Sequence, residues 1–206
     1  MKVLIAALCY GDRPHDIVKD NIARAGYDCT YIGIDRYGVA QALNEGLHLM
    51  VKHNFDAVAF IANDIVEPDN WLKDKVHALQ TYPAAGVVAS TIHEPIDKIH
   101  SQHIIGNWLV SRETFNRIGY FNEEYTPYGP IDLDYCERAN LAGLSTYYVM
   151  NCHAQHDGSH ATGNEYGYDK AKVVADMWPL YLSNIQGYHT GTKSIKIEIT
   201  NYEKEG

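Results

Sequence analysis

Asp12, Asp35 and Asp64 each close a short apolar run: Val3–Leu8, the stretch from Cys29 to Ile34, and Ala57–Ala62. Carboxylates gathered in one place repel one another unless a cation or hydrogen-bond donors neutralise them. Hard oxygen ligands of this kind suit Mg²⁺ or Mn²⁺, which take carboxylates together with substrate phosphates. A second acidic pair, Asp132 and Asp134, stands where a helix should open, and the dipole at a helix N-terminus favours negative charge. An ordinary N-cap accounts for only one of the two. The third group is His153, His156 and His160 in a polar stretch. It lacks the partner set of a structural zinc site; one histidine serving as a single ligand to a hard cation is the chemistry it offers. A lone aspartate that merely solvates a strand end would look like Asp64, so its neighbours carry the reading.

The elements that must position these residues follow from periodicity. Ala57–Ala62 is six apolar residues between polar ones, the pattern of a strand buried on both faces. Lys2 to Leu8 and Cys29 to Ile34 read as two more such strands. Between them, Asp16 to Ala25 has helical spacing and is stopped by Gly26; Val39 to Lys52 carries Ala42, Leu43, Leu47, Met50 and Val51 on one face. Three strand–helix alternations predict an α/β chain with a mostly parallel sheet flanked by helices. The carboxyl ends of such strands share one rim, where open α/β sheets bind ligands, so the three aspartates are expected to border one cleft. Farther on come a helix over Trp71–Tyr82, a strand over Ala85–Ser90, an aperiodic stretch over 91–104, and a strand over Ile105–Val110. A helix from Ser111, a break at Gly119–Glu123, a helix over Asp132–Leu141 closed by Gly143, and a strand over Thr146–Val149 follow. The chain is expected to close with a helix over Asp169–Asn184 kinked at Pro179 and an edge strand over Lys193–Thr200, an extension over 161–206 packed on the 1–160 domain.

Composition bounds the function. The chain has 206 residues, 46% hydrophobic and 21% charged, enough to bury a core in one domain. Its net charge of −9 disfavours a nucleic-acid partner without excluding a local basic groove. Cys9, Cys29, Cys136 and Cys152 have no C-x-x-C spacing and read as buried reduced thiols. The run from Val3 to Leu8 is followed by Gly11-Asp12-Arg13-Pro14 rather than a small-x-small cleavage site, so it reads as a strand and not a signal segment. No run approaches the roughly 18 apolar residues of a membrane span, and no N-x-S/T sequon occurs; a cytoplasmic protein is expected.

In order along residues 2–160, these segments resemble the family 2 type of GT-A glycosyltransferases. Ile61-Ala62-Asn63-Asp64-Ile65-Val66-Glu67-Pro68-Asp69-Asn70-Trp71-Leu72 resembles that family's L-N-N-D-x-x-x-P-x-x-L variant of the D-x-D motif. Gly38 to Gly46 is similar to its G-x-x-x-A-x-N-x-G segment. Gly106, Arg112, Phe115 and Gly119-Tyr120-Phe121-Asn122-Glu123 resemble its G…R…F…G-x-F-D-E segment, and Asp132 to Gly143 its E-D-x-D-x-x-x-R…A-G block. The resemblance implies a GT-A fold, a nucleotide-sugar donor, a hydroxyl-bearing acceptor, and Mn²⁺ or Mg²⁺ held by Asp64 with His156. It implies that Tyr10, Asp12, Arg13, Asp35, Gly38 and Asn63 border the nucleotide sugar. Asp132 would be the general base, Trp108 and Asp134 would meet the acceptor, and the anomeric centre would invert. Trp108, Tyr125 and Tyr128 offer stacking surfaces.

Two departures stand out: Ala62 replaces the first acid of D-x-D, and Ile131 replaces the Glu before the base. They favour a second reading, a binding module for nucleotide sugars or carbohydrate without catalysis. A nucleotidyltransferase on a similar sheet is a third, but its Gly-rich, basic first loop is not evident. Gly187–Ser194 evokes a phosphate loop, but its glycines are one residue too close and it follows a helix. The 91–104 stretch and the Gly/Tyr-rich residues after His156 are expected to order over bound donor.

Overall fold

A computed structural model describes residues 1–8, 16–34, 38–92, 100–101, 104, 106–156 and 168–199. Val3–Leu8 forms β1, buried along its whole length. Alternate residues supply two separate cores: Leu4, Ala6 and Leu8 point to one, Val3, Ile5 and Ala7 to the other. The same alternation runs through β3 (Ala57–Ala62), with Val58 and Phe60 against Ala57, Ala59 and Ile61. This two-sided burial is why neither strand shows a polar face in the sequence.

The remaining elements follow in chain order. They are α1 (Asp16–Ala23), β2 (Thr30–Ile34), α2 (Val39–Lys52), the two-residue β4 (Ile65–Val66), α3 (Trp71–Thr81), β5 (Ala85–Thr91), β6 (His100–Ser101) and β7 (Trp108–Ser111). Then come α4 (Arg112–Ile118), a 3₁₀ turn at Glu123–Tyr125, α5 (Ile131–Leu141), β8 (Ser145–His153), β9 (Gln155–His156) and α6 (Lys170–Thr190). Among the described residues the main sheet has seven strands in the order β2-β1-β3-β7-β5-β8-β6. β1 is parallel to β2 and β3, and β5 to β8, while β7 runs against β3 and β5 and β6 against β8. The sheet is therefore mostly parallel. α1 and α3 cover one face; α2, α4, α5 and α6 cover the other.

Leu8 pairs with both Ile34 and Ala62, so β1, β2 and β3 end level with one another. That rim is the one expected to carry Asp12, Asp35 and Asp64; of the three, Asp12 and Asp35 lie outside the described residues. Asn44 ties α2 to the rim. Its amide oxygen accepts from the Phe121 N–H at 2.7 Å and its amide nitrogen donates to the Phe121 carbonyl at 3.0 Å and to Glu123 at 2.9 Å. The G-x-x-x-A-x-N-x-G and G-x-F-D-E-like segments thus meet through one buried asparagine. Gly46 lets α2 approach the sheet, since a Cβ there would come within 2.5 Å of the Phe60 ring.

Several expectations change. β8 runs on to His153 rather than ending at Val149, because Cys152 is buried and β5 continues alongside to a Thr91–His153 pair. α6 continues past Asn184 to Thr190, and Gly191 in the left-handed region (φ 72°) caps it. The phosphate-loop-like residues therefore begin inside that helix. Of the expected edge strand over Lys193–Thr200, the described residues 193–199 add no strand to the sheet: Ile197 makes a bridge to Gly119, exchanging hydrogen bonds with Ile118 and Tyr120. Cys29, Cys136 and Cys152 are free thiols, the last two buried; Cys9 lies outside the described residues. Among the described residues no helix is long and apolar enough to cross a membrane.

Candidate active site

Asp64 sits two residues beyond the end of β3, in the turn that leads into β4. His156 lies in β9, just beyond the end of β8. Two residues of β4 pair antiparallel with two of β9, Ile65 opposite His156 and Val66 opposite Gln155. That small second sheet is what brings the two distant segments together: His156 Nε2 lies 3.6 Å from Asp64 Oδ2. The aspartate side chain is 13% exposed and the imidazole 38%, so the pair is half-sheltered with one side open.

Asp132 reaches the same rim by a different route. α5 packs on β8 and β5 and joins β8 through a short link, so it runs against β8. Its N-terminus is therefore at the carboxyl end of the parallel strands. Asp132 is the second residue of α5, and one of its carboxylate oxygens accepts from the Leu133 N–H at 2.9 Å. Tyr181 of α6 senses this end of the helix: burial, then Glu137, Asp134 and Asp132, push its phenol up to about 12. Gly38 caps α2 at φ 91°, a backbone glycine takes readily. The next residue's N–H donates to the Pro127 carbonyl at 3.3 Å, linking the start of α2 to the loop before Asp132. Asn63 is buried beside Asp64. Tyr10, Arg13, Asp12 and Asp35 lie outside the described residues, as do His160 and most of the 91–104 stretch.

Two expected acceptor contacts give way. Asp134 is fully buried: Oδ2 accepts from Arg138 Nε at 2.7 Å, and Oδ1 accepts from the Tyr125 and Tyr188 hydroxyls at 3.0 and 3.1 Å. The two hydroxyl bonds join α5 to the 3₁₀ turn and to α6, and the Arg138 bond lies within α5. Trp108 is 3% exposed, stacked on Phe121 at 5.6 Å and tilted against Tyr135 at 6.1 Å. Its ring faces serve the core, so it offers no stacking surface; its indole N–H is buried with no hydrogen-bond partner among the described residues. Tyr125 is likewise buried, while Tyr128 carries the Lys170 ammonium over its ring at 4.4 Å.

A polar cluster behind the Asp64 turn is invisible to motif reading. Glu67 and Lys75 form an ion pair at 2.9 Å with both side chains fully buried. Glu67 also accepts from Asn107 at 2.9 Å and from the Ser90 hydroxyl at 2.5 Å, and Lys75 donates to the Asn107 carbonyl at 3.0 Å. Glutamate and lysine eight residues apart in an otherwise ordinary turn–helix sequence look like surface charge, and their burial is a tertiary fact. Among the described residues no group of three or more His, Cys, Asp or Glu could hold a metal; Asp64 and His156 form a pair only.

No family model matches the chain, and no curated protein matches it. Solved structures do. A197 from STIV aligns with TM-score 0.56 at 16% identity over 76% of this chain and 85% of its own. The mannosyltransferase PcManGT from Pyrobaculum calidifontis, in complex with GDP-Man and Mn²⁺, aligns with TM-score 0.60 at 16% identity over 93% of this chain and 74% of its own. GalNAc-T7 with UDP, GalNAc and Mn²⁺ aligns with TM-score 0.62 at 9% identity over 87% of this chain, which spans about half, 49%, of that protein. At such identities the likeness speaks for architecture alone, and with the strand order and the rim described above it shows that this chain has the GT-A fold.

Proposed function

We propose that the chain transfers a sugar from a nucleotide-diphosphate donor to an acceptor hydroxyl, with a divalent cation held by Asp64 and His156. The observation that carries this reading is the 3.6 Å approach of Asp64 Oδ2 to His156 Nε2 at the carboxyl rim of the sheet. Neighbouring ligands of one octahedral Mg²⁺ or Mn²⁺ lie about 3 Å apart, given metal–oxygen distances near 2.1 Å. The observed separation needs only a small side-chain adjustment, and a carboxylate with one imidazole suits either ion. When bound, such an ion neutralises charge on the departing diphosphate.

The chain's own residues do the rest. In this reading Asn63 and Gly38 meet the donor, and the resemblance assigns Tyr10, Asp12, Arg13 and Asp35, which lie outside the described residues, to the nucleotide. Asp132, at the start of α5, accepts the proton of the acceptor hydroxyl as its oxygen attacks the anomeric carbon. Attack opposite the departing diphosphate inverts that centre. A panel of nucleotide sugars with Mn²⁺ and hydroxyl acceptors, read by product mass and nucleoside diphosphate release, tests this. Transfer that falls by about a hundredfold or more in Asp132→Asn with donor affinity kept supports the assignment; transfer that survives the substitution, or nucleotide binding lost with it, contradicts it.

A binding module without transfer is the second reading. Ala62 removes one acid, and Ile131 is buried in the core at 4% exposure where the resemblance would put a glutamate. Mn²⁺-dependent stabilisation by nucleotide with no turnover, unaltered by Asp132→Asn, would decide for that reading.

A further inference from the structure

We infer that the buried polar cluster centred on Glu67 and Lys75, together with Ser90 and Thr91, is a bracket that holds Asp64 and His156 in register for a cation; the inference rests on the proposed role of that pair. The backbone is pinned on both sides of Asp64. Before it, the Ala62 N–H donates to Asn107 Oδ1 at 2.8 Å. After it, the Ile65 carbonyl accepts from Asn21 Nδ2 at 2.7 Å and the Glu67 N–H donates to Asn21 Oδ1 at 2.8 Å. Both asparagines are themselves fixed, Asn107 by Glu67 and Lys75, and Asn21 through the Trp71 indole donating to its carbonyl at 2.7 Å.

The end of β5 joins the two halves. Its pairing with β8 shifts register between Ala89 and Thr91. Such irregularities re-aim side chains next to functional sites. Here the shift lets two consecutive residues serve different segments. Ser90 donates to Glu67, on the Asp64 side. Thr91 accepts from the Ala154 N–H at 2.8 Å through its carbonyl, and its hydroxyl lies 3.0 Å from His153 Nδ1, on the His156 side. One strand end therefore sets the spacing between the two segments, which also meet through the two-residue β4–β9 pair. Glu67, Lys75, Ser90 and Thr91 are positioning residues in this scheme, not ligands.

The test uses Ser90→Ala, Thr91→Val and Glu67→Gln, with two readouts at a temperature well below unfolding. Amide exchange at Ile65 and Val66 is compared with exchange in β1, and Mn²⁺ affinity is measured by titration. The bracket predicts exchange in β4 faster by about tenfold with β1 unchanged. It also predicts Mn²⁺ affinity weaker by about 10–100-fold, as for groups that orient metal ligands. Thr91→Ser should restore both. Unchanged β4 exchange overturns the inference, and so does faster exchange spread evenly over the chain, or faster β4 exchange with Mn²⁺ affinity intact. Should the unaltered chain take no Mn²⁺, the cation reading falls, and β4 exchange alone decides for or against the bracket. Should Glu67→Gln fail to fold, the two hydroxyl deletions decide.

Discussion

Replacing Asp134 with asparagine separates a structural carboxylate from an acceptor-binding one. Asp134 and Arg138 are both fully buried and joined at 2.7 Å. The guanidinium also donates to the Ile118 carbonyl at 2.8 Å and to the Ile195 carbonyl at 3.3 Å, and its Nη2 has no partner among the described residues. In Asp134→Asn the positive charge stays buried without a counter-charge, which costs about 3–5 kcal/mol. The amide also places an NH₂ group, with two N–H donors, where a carboxylate oxygen accepted, so either the Arg138 Nε–H or the two tyrosine hydroxyls lose their acceptor, at about 1–3 kcal/mol. The two losses overlap, and a total of about 4–6 kcal/mol is expected. For a domain of this size that lowers Tm by about 10–20 °C. Differential scanning calorimetry measures it, and urea midpoints check it independently. Asp134→Leu combined with Arg138→Met removes both charges and should recover most of the loss. A Tm for Asp134→Asn within about 3 °C of the unaltered chain, with transfer abolished, would refute the structural role and return Asp134 to the acceptor site.

Further outcomes follow from the same geometry. Burial pushes the Cys136 and Cys152 thiols up to about 12, so a thiol reagent at pH 8 should leave both unmodified until the chain is unfolded; rapid modification of either in the folded protein would contradict their burial. The Tyr125 and Tyr188 phenols are raised above the ordinary 10.0, first by burial and then by Asp134, and Tyr181 is pushed to about 12. The fold holds these protons more tightly than the unfolded chain does. That contribution is complete below pH 10 and fades as pH climbs through the folded-state values. Tyrosinate absorbance for this group should therefore rise together with unfolding above pH 10; a gradual rise in a folded chain would count against it. Asn44→Ala removes the link from α2 to Phe121 and Glu123 and should cost about 1–3 kcal/mol in urea unfolding, and a change below about 0.5 kcal/mol would show the link to be dispensable.

Much of the architecture was legible because β1 and β3 are buried on both faces and α2 carries an unbroken apolar stripe. The rim followed from strand–helix alternation, and Asp64 and His156 followed from resemblance to a motif set. What the sequence hid has physical causes. β4 and β9 are two residues each, too short for any period, yet their pairing brings Asp64 and His156 together. β8 was read short because Asn151 and His153 interrupt its apolar pattern, although its pairing with β5 continues to His153. Asp134 and Arg138, four apart on a helix, read as part of a motif block with Asp134 meeting the acceptor; packing by Tyr125, Tyr188 and the Ile195 carbonyl puts them inside. Trp108 looked like a platform because aromatic side chains serve cores and sugar sites alike.

The central claim is that Asp64 and His156 together hold a divalent cation. Mn²⁺ titration monitored by electron paramagnetic resonance, with and without a nucleoside diphosphate, tests it most directly. Saturable Mn²⁺ binding that tightens with the nucleotide, and that weakens at least about tenfold in both Asp64→Asn and His156→Ala while the fold is retained, is the result predicted. Mn²⁺ binding unchanged in either variant, or nucleotide binding indifferent to Mn²⁺, would contradict it.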